Sequence, residues 1–136
     1  MVEADEFDKS FLSLNPTYAI INNLDLEHLD IYESLTSLQK TFSQFANGVP
    51  FYGKVFINND CRGLVKVKDK INRSKSTYSI YNKSDLQATN ITYQKEKTTF
   101  TINSKLCDKI KINLNCPGEH NIYNALSAAA ISLSPA

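Results

Sequence analysis

The run Tyr18-Ala19-Ile20-Ile21-Asn22-Asn23-Leu24-Asp25-Leu26-Glu27-His28-Leu29-Asp30 passes within a few residues from apolar and β-branched to amide, carboxylate and imidazole. The apolar part predicts a short buried strand over 17–22, with the polar groups falling just past its carboxyl end. In an open α/β sheet that edge is where ligands sit. A second acidic group, Glu3-Ala4-Asp5-Glu6-Phe7-Asp8, lies upstream. Two acid-rich segments and one His suit a hard cation such as Mg2+, which takes one or two carboxylates and keeps several waters. The competing reading is a solvated acidic loop and a hydrogen-bonded, structural His28.

Downstream, Leu35, Leu38, Phe42 and Phe45 recur at spacings of three and four and predict a helix, with Ser34 as N-cap and Asn47-Gly48 as the stop. Lys54-Val55-Phe56-Ile57-Asn58, entered through Gly53, reads as a strand. Leu64, Val67 and Ile71 place a helix within 60–71, and Thr77-Tyr78-Ser79-Ile80-Tyr81 reads as a third strand. The order β-α-β-α-β over 1–83 predicts a partial parallel sheet with covering helices. Over 84–116 the period changes to two: Leu86 to Tyr93, Thr98 to Ile102 and Lys109 to Leu114 alternate polar and apolar. These segments predict a small three-stranded antiparallel subsheet with one wet face. Residues 117–136 form a C-terminal helix: Pro117-Gly118 ends the last strand, Asn121 or a neighbour caps, and Ile122, Leu126, Ala129 and Leu133 make the apolar face. The fold class is α/β.

With 136 residues, 42% hydrophobic and 21% charged, the chain has the composition of one globular domain with a core. A net charge of +1 and the lack of a dominant basic stripe give no reason to expect nucleic acid. Lys66, Lys68 and Lys70 read as a solvated face. Cys61, Cys107 and Cys116 form no CxxC pair, which argues against a zinc site and fits reduced thiols. No run approaches the roughly 18–20 apolar residues that span a bilayer, so the expectation is a cytoplasmic protein without a membrane partner. The chain opens on an acidic motif and stops just past an alanine-rich helix, so it reads as a piece of something larger.

His120, Asn121 and Asn124 share one helical turn beside exposed backbone N–H groups. An Asn amide can pair with an adenine edge as donor and acceptor together; capping and surface polarity explain the same residues. No glycine falls in GxxxxGK[ST] or GxGxxG, and no Ser/His/Asp arrangement follows from spacing. A metal-dependent phosphohydrolase built on Glu3 and His28 lacks ligands. From the residues alone, the chain is an α/β domain with a divalent-cation edge.

Four segments carry more. Glu3-Ala4-Asp5-Glu6-x-Asp8-x-Ser10-Phe11, Asn23-Leu24-x-x-x-His28-x-Asp30, Pro50-Phe51-Tyr52-Gly53 and Pro117-Gly118-x-His120-Asn121-x-x-Asn124-Ala125 resemble, in order and over nearly the whole chain, the central domain of the Mur ligases. The resemblance implies ATP-dependent amide-bond formation in peptidoglycan precursor synthesis. The first and third segments resemble the branch that joins L-alanine to UDP-N-acetylmuramate through an acyl phosphate. By the same resemblance Glu3 binds the Mg2+ that bridges the ATP phosphates, and His28 binds a second Mg2+ near the acyl phosphate. His120, Asn121 and Asn124 line the nucleotide site. The family's phosphate-binding loop lies upstream of the Glu3 position and is not in these residues. Nor are the N-terminal domain that binds the UDP-sugar and the C-terminal domain that brings the amino acid, so both are implied partners. Several relatives carry a carbamylated lysine after the His motif; here that region reads Lys40-Thr41-Phe42-Ser43, and the alanine-adding branch does without one. Asn22-Asn23-Leu24 is closer to the branch that attaches recycled peptide to UDP-muramate. A non-catalytic Mg2+- or nucleotide-binding module, from a truncated or degenerate ligase, is the reading of a different class.

Overall fold

The computed structural model describes residues 17–22, 35–105 and 108–133. Its elements are β1 (Tyr18–Ile21), α1 (Leu35–Asn47), β2 (Lys54–Asn58), α2 (Arg62–Lys70), β3 (Lys75–Ser79), β4 (Leu86–Gln94), β5 (Lys97–Ser104), β6 (Ile110–Leu114) and α3 (Glu119–Leu133). All six strands form one sheet in the order of the chain.

β1, β2 and β3 run parallel, with Ile20 opposite Phe56 and Phe56 opposite Ser76. Successive side chains of a strand point to opposite faces, and β2 shows what that does here. Val55 and Ile57 join Ala19, Ile21, Phe42, Ala46, Leu64 and Val67 in a core on the α1/α2 side. Phe56 joins Tyr78, Leu86, Phe100, Ile102, Ile122 and Leu126 in a second core under α3. A strand buried on both faces has no reason to alternate, which is why β2 carries the continuous apolar run Val55-Phe56-Ile57.

The parallel and antiparallel parts are both present and are joined edge to edge. β4 pairs parallel with β3 through Tyr78 opposite Leu86 and Ser79 opposite Gln87, then runs on as the first strand of an antiparallel meander with β5 and β6. The β4–β5 register shifts between Thr89 and Thr92, where Asn90 takes a left-handed φ of 54°. Some bulges place a residue in this left-handed conformation, and Asn tolerates it better than most.

The β2 and α1 boundaries agree with the sequence expectations: β2 spans 54–58 and α1 stops at Asn47. Asn47 then acts as a clamp, donating to the Lys70 carbonyl at 3.3 Å and accepting from the Asn72 N–H at 2.8 Å. The third strand spans 75–79 rather than 77–81, because the N–H groups of Ile80 and Tyr81 leave the ladder for the Asp60 carboxylate. α3 begins at Glu119, and Asn121 lies inside its first turn rather than at the cap. Its amide donates back to the Pro117 carbonyl at 2.7 Å. Lys68, expected on a solvated face, is half-buried and donates to Asn59 Oδ1 at 3.4 Å. Ser34, and the side chains of Leu35 and Leu38, lie outside the described residues.

Gly53 is required by the β1–β2 approach. A Cβ there would stand 2.0 Å from the Thr17 carbonyl oxygen, which accepts the Lys54 N–H at 3.1 Å. Gly53→Ala must push the two strands apart at their first rung. The expected loss is about 1–3 kcal/mol, read as a lower urea midpoint at unchanged slope. An unchanged midpoint would contradict this register.

Candidate functional site

Because β1, β2 and β3 are parallel, their carboxyl ends share one edge of the sheet, where polar residues gather: Asn22 after β1, Asn58 at the end of β2 with Asn59-Asp60 after it, and Tyr81-Asn82 beyond Ile80 after β3. These residues bond to one another. The buried Tyr78 hydroxyl donates to Asn22 Oδ1 at 2.7 Å, and Asn58 Nδ2 donates to the Asn22 carbonyl at 3.0 Å. Asn58 Oδ1 accepts the Asp60 N–H at 3.0 Å, which fixes the turn after β2. Burial, and then the nearby Cys61, push the Tyr78 hydroxyl well above its usual range, so it stays a proton donor.

Asp60 is the hub. Its carboxylate accepts the N–H groups of Ile80 (2.6 Å), Tyr81 (3.2 Å) and Asn82 (2.9 Å), the Asn82 amide (2.9 Å) and the Tyr123 hydroxyl (2.8 Å). Partial burial works to raise its pKa, but hydrogen bonds from Ile80, Tyr123, Asn82 and Tyr81 outweigh burial and hold the carboxyl below its ordinary range. Burial, followed by the bond to Asp60, raises Tyr123. Tyr81 donates to Glu119, and that bond, ahead of a small burial contribution, pushes its pKa up to about 12. The connection after β3 and the first turns of α3 are thereby tied to the end of β2.

That tie sets where the α3 residues lie. His120 and Glu119 line a cavity of about 370 Å3 with Asn22, Asn58, Asp60, Cys61 and Tyr123. Gly118, at φ +109°, lies under the His120 ring: a Cβ there would come within 2.9 Å of the imidazole Cε1. Asn124 is exposed, and its Oδ1 faces Asn22 Nδ2 at 3.5 Å. His120 and Asn124 therefore face the sheet edge, while the Asn121 amide is turned to Pro117. Glu3 and His28 lie outside the described residues. Among the described residues no group of three or more His, Cys, Asp or Glu could hold a metal. Asp60 is a poor candidate ligand because its oxygens already accept five donors.

The sequence reading missed Asp60, Tyr81 and Tyr123. Asp60 had a signal: Asn58-Asn59-Asp60 comes after a buried strand just as Asn22-Asn23 does. The tyrosines had none, since their partners are 38 and 63 residues away in the chain.

A parallel α/β sheet with polar residues gathered at its carboxyl edge, facing the start of a helix, is a ligand-binding enzyme architecture. The chain belongs to the Mur ligase family: it matches the Mur ligase middle domain over residues 2–132. It is 43% identical over 133 residues to the UDP-N-acetylmuramate–L-alanine ligase of Chlorobium luteolum, covering 98% of this chain and 28% of that protein. The ligase of the same name from Chlorobium phaeobacteroides is 40% identical, with 98% and 29% covered. This chain thus spans under a third of the length of these relatives. Among solved structures, MurF from Acinetobacter baumannii superposes with a TM-score of 0.78 at 19% identity, over 93% of this chain and 28% of that one. The UDP-N-acetylmuramate–alanine ligase MurC from Thermotoga maritima gives 0.76 at 21%, over 93% and 27%. At these identities the structures share the fold.

Asp60→Asn keeps the shape of the hub but removes its charge and turns an N–H2 toward N–H donors. At pH 7 the expected loss of stability is about 1–2 kcal/mol, allowing for solvent screening at a half-exposed group. The folded pKa of Asp60 is depressed. Its contribution is therefore whole above the unfolded value near 3.9 and is lost as pH falls through the lower folded value. Urea unfolding at pH 7 and pH 3 should show the gap between wild type and variant narrowing in acid. A gap independent of pH would remove the carboxylate from this role.

Proposed function

We propose that this chain is the central domain of an ATP-dependent ligase that joins L-alanine to UDP-N-acetylmuramate in peptidoglycan precursor synthesis, acting in the cytoplasm. The supporting observation is identity of 40–43% over 98% of the chain with ligases named for that reaction.

A carboxylate is a poor electrophile because its leaving group would be an oxide. Transfer of the ATP γ-phosphoryl group to a carboxylate oxygen of the muramate, with the bond to ADP breaking, makes phosphate the leaving group. The L-alanine nitrogen then attacks the acyl carbon, an N–C bond forms, phosphate departs, and the nitrogen gives up its extra proton. Such chemistry is mostly positioning and charge stabilisation. Mg2+, when bound, neutralises charge on the phosphoryl oxygens, and Glu3 and His28 are the residues to hold it. His120 and Asn124 take the nucleotide. Asn124 suits that task because the Asn22 amide engages its Oδ1 and leaves its N–H2 to meet a ring-nitrogen acceptor. Asn121, bonded to Pro117, contributes by fixing the first turn of α3.

The test is ADP release that depends on both L-alanine and UDP-N-acetylmuramate, from the ligase carrying this domain with its flanking domains. Glu3→Ala and His28→Ala should each lower kcat by about 10²-fold or more. Asn124→Ala should raise KM for ATP roughly three- to tenfold, one hydrogen bond's worth. Residues 1–136 alone should show no turnover. Use of a preformed peptide in place of L-alanine would move the chain to the recycling branch, and turnover by residues 1–136 alone would overturn the mechanism.

A further inference from the structure

A second cavity, about 440 Å3, shares Asp60 with the His120 cavity and otherwise has a different wall: Asn59, Arg62, Lys68, Asn82 and Lys83. Three of its six lining residues are cations, and they come from one helix and one connection. Arg62 opens α2, Lys68 lies in its last turn, and Lys83 is in the β3–β4 connection. Asn59 holds the Lys68 ammonium and the backbone that carries Lys83. Its Oδ1 accepts from Lys68 Nζ at 3.4 Å, its Nδ2 donates to the Lys83 carbonyl at 2.9 Å, and its own carbonyl accepts from Asn82 Nδ2 at 3.3 Å.

Among the described residues the only acid on this wall is Asp60, and every donor described on it is neutral: backbone N–H groups, an amide and a hydroxyl. Its negative charge is dispersed into that cage rather than matched to Arg62, Lys68 or Lys83. Three cations against one carboxylate leave the basin two positive charges in excess. A cluster with that excess is self-repelling, and a dianion relieves it. The planar fork of Arg62 pairs bidentately with tetrahedral oxyanions, and two lysines add point charges around it.

We propose that this basin binds a small phosphate-bearing dianion, at a site separate from the His120 cavity. The inference does not rest on the ligase reading.

Inorganic phosphate is the probe, titrated into the whole 136-residue chain at constant ionic strength and followed through backbone amide NMR shifts. Saturable shifts are expected at Asn59, Arg62, Lys68, Asn82 and Lys83, with residues 119–124 unmoved. Because Arg62 and Lys83 are exposed, the double variant R62Q/K83Q should keep the wild-type spectrum and bind about tenfold or more weakly. The proposal fails if the shifts spread over lysines elsewhere without saturating, if the double variant binds as tightly as wild type, or if citrate competes on equal terms. Adenosine, which carries no phosphate, is the control for the other cavity. Its failure to move His120 and Asn124 would count against the nucleotide reading and leave this one standing.

Discussion

Five donors converge on the Asp60 carboxylate, and the geometry of the functional edge depends on them. At the end of a parallel strand the next N–H groups have no ladder to join, and leaving them unpaired costs about as much as losing a hydrogen bond. Asp60 supplies the acceptors that β2 cannot offer beyond Asn58. It ends β3 at Ser79, turns the chain outward, and by holding the Tyr123 hydroxyl brings α3 onto the same edge. One carboxylate thus sets the end of a strand, the path of a loop and the position of a helix.

The layered core makes that economy possible. β2 is covered by α1 and α2 on one face and by α3 on the other, so its end is fixed from both sides. The α1/α2 layer is itself keyed by a buried amide, Gln39 Nε2, donating to the Gly63 carbonyl at 2.9 Å. Among the described residues no buried side-chain polar atom lacks a partner. With full satisfaction inside, the polar groups left to act on a ligand are those the fold turns outward at the strand ends.

How much of this could be read from the sequence depends on the range of each interaction. β2 was legible because burial on both faces writes itself as an apolar run, and the α1 stop because Asn47-Gly48 is a local signal. The β3 boundary was not legible, since the residue that ends it lies 20 positions upstream. The same holds for the start of α3, where apolar spacing marks Ile122 but the first turn is polar and held by Tyr81 and Pro117. Of the site, His120 and Asn124 were visible as a motif and do face the edge. Asn121 belongs to the same motif, yet its amide is spent on the backbone. The Lys68 misreading has the same cause: alternation of Lys with apolar residues marks a face, and only Asn59, nine residues away, takes its ammonium from solvent.

The two cavities on either side of Asp60 differ in a way that its own chemistry explains. An unprotected carboxylate beside Arg62, Lys68 and Lys83 would draw the cations in and close the basic basin with ion pairs. It would also repel any anionic group entering beside His120. Neutral donors on both of its oxygens prevent the first and soften the second, because the charge is spread over backbone dipoles fixed in the β3–β4 connection. The hydrogen bonds that hold Asp60 ionised also keep it from pairing with its neighbours. Its position at the wall common to both cavities is therefore compatible with anions on either side, which a free aspartate there would not be.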